Sequence, residues 1–150
     1  MTGTERERDL ARAFDEQAAG FERAKVQRDA PSLSRFVVFA ALPAGARVLD
    51  AGCGPGLVAE AFLEAGCDVE GVDLSAEMLR RARARCARFG PRARFEQRSL
   101  FDLEAGAPLD AALSRNVLHH LSDPQVFVAR QADLVRPGGV VLALDLSGDP

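Results

Sequence analysis

Arg47-Val48-Leu49-Asp50-Ala51-Gly52-Cys53-Gly54-Pro55-Gly56 is the stretch that decides how this chain folds. An apolar run reads as a buried strand and ends in glycines at every second position. Leu57-Val58-Ala59-Glu60 then opens a helix. Downstream, Val69-Glu70-Gly71-Val72-Asp73-Leu74-Ser75 reads as a second strand ending in an acid. A strand, a tight glycine turn, a helix and an acid-tipped strand make one half of a nucleotide-binding α/β fold.

Gly52, Gly54 and Gly56 remove side chains where the chain turns sharply and a ligand approaches the backbone. A plain tight turn would account for the glycines alone; the carboxylates on either side argue for a ligand. In a dinucleotide site the turn presents backbone N–H groups and a helix N-terminus to a pyrophosphate. Asp50 would repel that anion, and the start of the helix offers no cation in compensation. The G-x-G-x-x-G spacing also fails, because Leu57 stands where the last glycine belongs. A ligand with an adenosine end and a cationic end fits better. Asp73 can accept hydrogen bonds from ribose hydroxyls, and Asp50 can attract an ammonium or sulfonium group. S-adenosylmethionine carries both ends and no phosphate.

Val48 to Gly56 resembles motif I of the class I S-adenosylmethionine-dependent methyltransferases. Gly71-Val72-Asp73-Leu74-Ser75 with Met78 resembles their ribose-binding segment. The stretch Leu109 to Leu121, with Arg115-Asn116 and His119-His120, resembles the fourth strand and the segment after it. Leu134 to Leu142 resembles the turn into the fifth strand. The nearest flavour is the small-molecule branch that includes ubiquinone and menaquinone biosynthesis enzymes. The resemblance implies contacts to the cofactor from Asp50, Ala51, Gly52, Cys53, Gly54, Gly56, Asp73 and Leu74. It adds Met78 and Leu100 beside the adenine, and Arg115 and Asn116 at the methionine end. Its pattern carries an Asp where this chain has Ser99, an uncharged acceptor for the adenine amino group; Asp102 is a candidate substitute. The family pattern also continues past strand five with a helix and an antiparallel hairpin. Neither is expected before Pro150, so the chain reads as a fragment, a minimal member, or one completed by a partner.

The fold expected is therefore α/β: a doubly wound, mainly parallel Rossmann-like sheet of about five strands with two N-terminal helices. Residues 1–46 read as a helical cap and 47–150 as the core. Thr4 and Glu7 can form a capping box, and Leu10, Phe14, Ala18 and Phe21 share a helical face that Gly20 could interrupt. A break at Asp29-Ala30-Pro31 precedes a helix capped by Ser32 and running to Leu42. Strands are expected at 47–50, 68–73, 93–98, 111–114 and 140–146. Helices are expected at 57–65, from Ser75 onward with Leu79, Ala82, Cys86 and Phe89 inward, and after Asp123 with Val126, Phe127, Ala132 and Leu134 as its apolar residues.

His119 and His120 are the chain's two histidines. Imidazole titrates near neutrality, so one of them is a candidate general base; the alternative is one ring packed under the loop and one in solvent. The layout that the resemblance implies, with the apolar faces of the N-terminal helices, makes Phe14, Phe21, Phe36 and Phe39 candidates to lid the site; the chain has no Trp or Tyr, so an aromatic wall must come from Phe or His. Arginines 80, 81, 83, 85, 88, 92, 94 and 98 tempt a nucleic-acid reading. They fall outside the apolar stripe, no aromatic rings are interleaved for bases to stack on, and the net charge is −3, so a solvated face is expected.

One hundred and fifty residues at 47% hydrophobic content suit one domain with a real core. The apolar runs are too short to span a membrane, and the N-terminus lacks a signal-peptide core. Cys53, Cys67 and Cys86 lack metal-type spacing and point to a reducing cytoplasm. The expected activity is methyl transfer from S-adenosylmethionine to a small-molecule acceptor, with no metal. The alternatives are a non-catalytic cofactor-binding module and an NAD-dependent oxidoreductase. A free sheet edge makes a homodimer a further expectation.

Overall fold

The structure, a computed structural model, describes residues 3–23, 30–104 and 107–145. The Thr4 and Phe21 side chains, the break at Asp29 and the strand end at Leu146 lie outside the described residues. The elements run α1 (Gly3–Arg23), α2 (Ala30–Ala40), β1 (Arg47–Ala51), α3 (Leu57–Glu64), β2 (Asp68–Asp73), α4 (Ala76–Cys86), β3 (Ala93–Gln97), β4 (Leu109–Arg115), α5 (Pro124–Leu134) and β5 (Val135–Leu144). Short 3₁₀ turns follow α4 and β4.

All strand pairs are parallel, in the order β3-β2-β1-β4-β5. The chain winds outward from β1 in one direction and resumes at β4 in the other. The carboxyl ends of β1 and β4 therefore border the crevice where such sheets bind ligands. Alternation along the strands gives each face its own core. Val48, Val69 and Leu113 pack with Phe36, Phe62 and Leu63 beneath α2 and α3. Leu49, Val72 and Ala112 pack with Leu103, Leu109 and Phe127 beneath α5. Each large side chain buried this way contributes about 1.5–3 kcal/mol relative to exposure.

Local chemistry sets most element ends. Ser75 caps α4, its Oγ accepting from the Met78 N–H at 3.1 Å. Asp123 caps α5 by accepting from the Val126 N–H at 3.3 Å, with Pro124 in the first turn.

Several expected boundaries differ. Gly20 does not interrupt α1, which continues to Arg23. The second helix begins at Ala30 with Pro31 in its first turn, so Ser32 lies inside it and is not its cap. It ends at Ala40, short of Leu42, where Ala41 takes a left-handed φ of 51°. The fifth strand starts at Val135 rather than 140. A register shift between Leu109 and Ala111 lets Val135 pair with Leu109, and Arg136 Nε binds Asp110 Oδ1 at 2.6 Å across that irregularity. On α5, Val126 and Ala132 face solvent. The inward stripe is Phe127, Gln131 and Leu134, spaced four and three apart, with a polar residue in its middle.

Candidate cofactor and active site

The glycine turn is held by backbone bonds to the neighbouring strand. The Gly52 and Cys53 N–H groups both donate to Val72 O, at 2.8 and 2.9 Å, and the Gly56 N–H donates to Cys53 O at 3.1 Å. The Gly54 N–H donates to Asp73 Oδ2 at 2.8 Å, and Pro55 has no N–H to offer. Every amide from 52 to 56 is thus committed within the protein. A diphosphate would find none of those amides free and two carboxylates nearby. Gly52 has φ 77°, and a Cβ there would lie 2.6 Å from Val117 Cγ2, so the turn and the loop after β4 approach closely. Gly56 is needed for packing, since a Cβ would come within 3.0 Å of the Ala82 backbone.

Asp73 is buried, and its Oδ1 accepts from the Ser75 N–H at 2.9 Å. Burial raises its pKa, while N–H bonds from Ser75, Gly54 and Leu74 pull the other way. Each carboxylate oxygen still has a second lone pair.

Asp50 is 1% exposed and its Oδ2 has no hydrogen-bond partner. Its pKa is raised to about 7, by burial first and by the neighbouring Asp73 second, against the pull of Arg115. A buried carboxylate oxygen without a partner costs free energy until a donor reaches it.

Asp50, Gly52, Cys53, Gly54 and Asp73 line one cleft of about 740 Å³, counting space open to solvent. Leu74, Met78 and Leu100 form an apolar part of the same wall, and Arg115, Asn116 and His120 line it too. Asn116 takes a left-handed φ of 57°, and its N–H donates to Leu144 O at 2.7 Å. Of the expected contact residues, Ala51 is fully buried in the sheet, and Gly56 and Ser99 do not line the cleft.

The two histidines divide. His119 is exposed, does not line the cleft, and pairs through Nδ1 with Asp145 Oδ1 at 2.6 Å. His120 lines the cleft, lies with its ring tilted 44° to that of His119 at a centroid distance of 3.9 Å, and meets Phe14 edge-on at 5.0 Å. Burial, then the neighbouring His119, lowers its pKa.

The aromatic lid reduces to one of its described members. Phe14 lines the cleft with Leu10. Phe36 is buried edge-on against Phe62 at 5.8 Å, and Phe39 is 77% exposed, because α2 packs on α3 away from the cleft. Two acids of α1 pin the helix across the site. Asp15 accepts from Ser75 Oγ and from the Glu77 N–H, and Glu7 accepts from Ser99 Oγ. Sequence patterning showed the apolar stripe of α1 but gave no sign of these contacts, which span 60 or more residues.

The arginine-rich face is internally engaged. Arg80 and Arg81 bind Glu77, Arg85 and Arg88 bind Glu60, and Arg88 also reaches Glu64. Arg92 donates to Leu63 O and Cys67 O. Among the described residues no helix is long and apolar enough to cross a membrane, and no group of three or more His, Cys, Asp or Glu could hold a metal ion.

Fold and site together define a parallel α/β protein with a cleft at its topological switch point, lined by two buried carboxylates and a glycine turn. Residues 48–139 match the methyltransferase domain family, and the chain belongs to that family. It is 36% identical over 110 residues to a ubiquinone biosynthesis O-methyltransferase of Xanthomonas axonopodis pv. citri, covering 72% of this chain and 46% of that one. The YcgJ protein of Bacillus subtilis superposes with a TM-score of 0.69 at 30% identity, over 77% of this chain and 50% of that one. A Geobacter sulfurreducens S-adenosylmethionine-dependent methyltransferase, solved with S-adenosylhomocysteine, has a TM-score of 0.68 at 22% identity, over 76% of this chain and 47% of that one. This last likeness bears on the fold alone. The chain spans about half the length of the curated relatives it matches.

Proposed function

We propose that this chain binds S-adenosylmethionine and transfers its methyl group to a small-molecule acceptor. The observation that carries this is the buried, unpartnered Oδ2 of Asp50, set beside a glycine turn whose amides are already spent. Such a site favours a cationic donor over an anion. In this reading Asp50 holds the ammonium or sulfonium end, with Gly52, Cys53, Gly54, Arg115 and Asn116 around it. Asp73 takes the ribose hydroxyls. Leu74, Met78 and Leu100 enclose the adenine.

The bound cofactor supplies an activated methyl carbon and a neutral leaving group. The chain's own part is to orient and desolvate the acceptor. Leu10, Phe14 and Leu121 give the cleft an apolar side suited to a ring. His120, kept neutral by burial, takes the acceptor proton as it leaves. The name of the Xanthomonas relative makes an aromatic hydroxyl the first acceptor class to try.

Of the expected 1–46 cap on a 47–150 core, α1 is the part that covers the cleft, while α2 packs on α3. Among the described residues β5 is an edge strand, and an edge strand suits pairing with a second copy of the chain. The three cysteines are free and buried, which suits a reducing cytoplasm. The test is incubation with methyl-labelled S-adenosylmethionine and a panel of hydroxylated aromatics. Label in an acceptor supports transfer; stabilisation by the cofactor without transfer to any acceptor supports a binding module instead.

A further inference from the structure

We infer that Glu7, on the N-terminal helix, reads the 6-amino group of the cofactor's adenine. The inference rests on the cofactor assignment above and extends it to a residue 92 positions away from the segment expected to do this. Ser99 stands where the methyltransferase resemblance places an acid. Its hydroxyl donates its single proton to the Glu7 carboxylate, and its oxygen accepts the Phe101 N–H at 3.2 Å. The charge at this position therefore belongs to Glu7. Asp102, the other candidate, is exposed and lines neither the cleft nor the groove that continues it.

Glu7 also faces open space. It lines a groove of about 430 Å³ that shares Leu10, Leu74, Leu100 and His120 with the main cleft, and so continues it. A nucleoside whose ribose sits on Asp73 and whose base lies over Leu74 and Leu100 points the far edge of that base into this groove. Adenine presents an N–H donor there, which a carboxylate accepts well. Hypoxanthine presents a carbonyl oxygen in the same place, which a carboxylate repels. Glu7 is thus set to discriminate the two, and base recognition becomes tied to the docking of α1.

The test is calorimetric binding of S-adenosylhomocysteine and S-inosylhomocysteine to the full chain and to Glu7→Ala, Glu7→Gln and the double variant Glu7→Ala/Ser99→Asp. The wild type should prefer the adenine compound by about tenfold or more, the scale of one charge-assisted hydrogen bond. Glu7→Ala should bring that preference close to one, and restoring a carboxylate at 99 should bring it back. Equal weakening of both compounds by Glu7→Ala would mean that Glu7 only docks the helix, and would overturn the inference. So would an unchanged preference. Both of those results leave the cofactor assignment standing, whereas failure of S-adenosylhomocysteine to bind the wild type would overturn both.

Discussion

The backbone N–H of Gly54 donates to Asp73 Oδ2 at 2.8 Å, so the acid at the tip of β2 holds the turn at the tip of β1. Ser75 N–H occupies the other oxygen at 2.9 Å. One side chain therefore shapes the glycine turn, positions the start of α4 and faces the cleft.

Asp73→Ala removes both contacts. Hydrogen bonds to a charged group contribute about 1.5–3 kcal/mol each, and relief of the desolvated carboxylate offsets part of that, so the variant should lose about 2–4 kcal/mol in denaturant unfolding. It should also lose binding of S-adenosylhomocysteine beyond detection. Unchanged binding would remove Asp73 from the site.

Asp50 makes stability depend on pH. Its pKa in the fold is about 7, against 3.8 for the free side chain, chiefly through burial. Between those values the folded state holds a proton that the unfolded chain has released, so this residue's contribution falls as pH rises from about 4 to 7. Above 7 the full penalty applies, on the order of 4 kcal/mol. Asp50→Asn should flatten this part of the curve and raise the Tm at pH 8, while weakening cofactor binding. In the wild type, S-adenosylhomocysteine affinity should rise between pH 6 and 8 as Asp50 ionises. Pairs of thermal melts and titrations at the two pH values check both statements.

Gly52→Ala places a methyl 2.6 Å from Val117 Cγ2 at a φ of 77°. Strain of this kind costs about 1–3 kcal/mol. The double variant with Val117→Ala should recover the steric part and leave the backbone part. Chemical unfolding of the four proteins separates the two, and a fully additive result would mean that the contact does not matter.

His120 lines the cleft with a lowered pKa, and His119 faces solvent. If His120 is the base, kcat should rise with pH through a value below 6.5 and then level off. His120→Ala should reduce kcat by about 10²-fold or more with little change in cofactor affinity. His119→Ala should do much less. The pH–rate profiles of the three proteins decide between the two rings.

Much of the fold was legible because it rests on local patterns. The apolar run of β1, the alternate glycines and the acid ending β2 are short-range signals, and the parallel, doubly wound character of the five-stranded sheet follows from alternating strands and helices. What the residues did not disclose depends on distant partners. The early start of β5 depends on Leu109 pairing with Val135. The polar Gln131 is buried on the inner face of α5, where its Nε2 donates to Leu113 O at 3.3 Å and its Oε1 has no partner. The pairing of Glu7 with Ser99, and of His119 with Asp145, joins segments far apart in the chain. Phe36 and Phe39 are not lid residues: an apolar helix face does not say which neighbour it packs on, and α2 packs on α3.

Calorimetric titration of the wild-type chain with S-adenosylhomocysteine and with NADH, in the same buffer at pH 8, tests the central claim most directly. The buried acid at 50 and the committed amides of 52 to 56 predict saturable binding of S-adenosylhomocysteine and no heat from NADH. Saturable binding of NADH with none of S-adenosylhomocysteine would contradict the account.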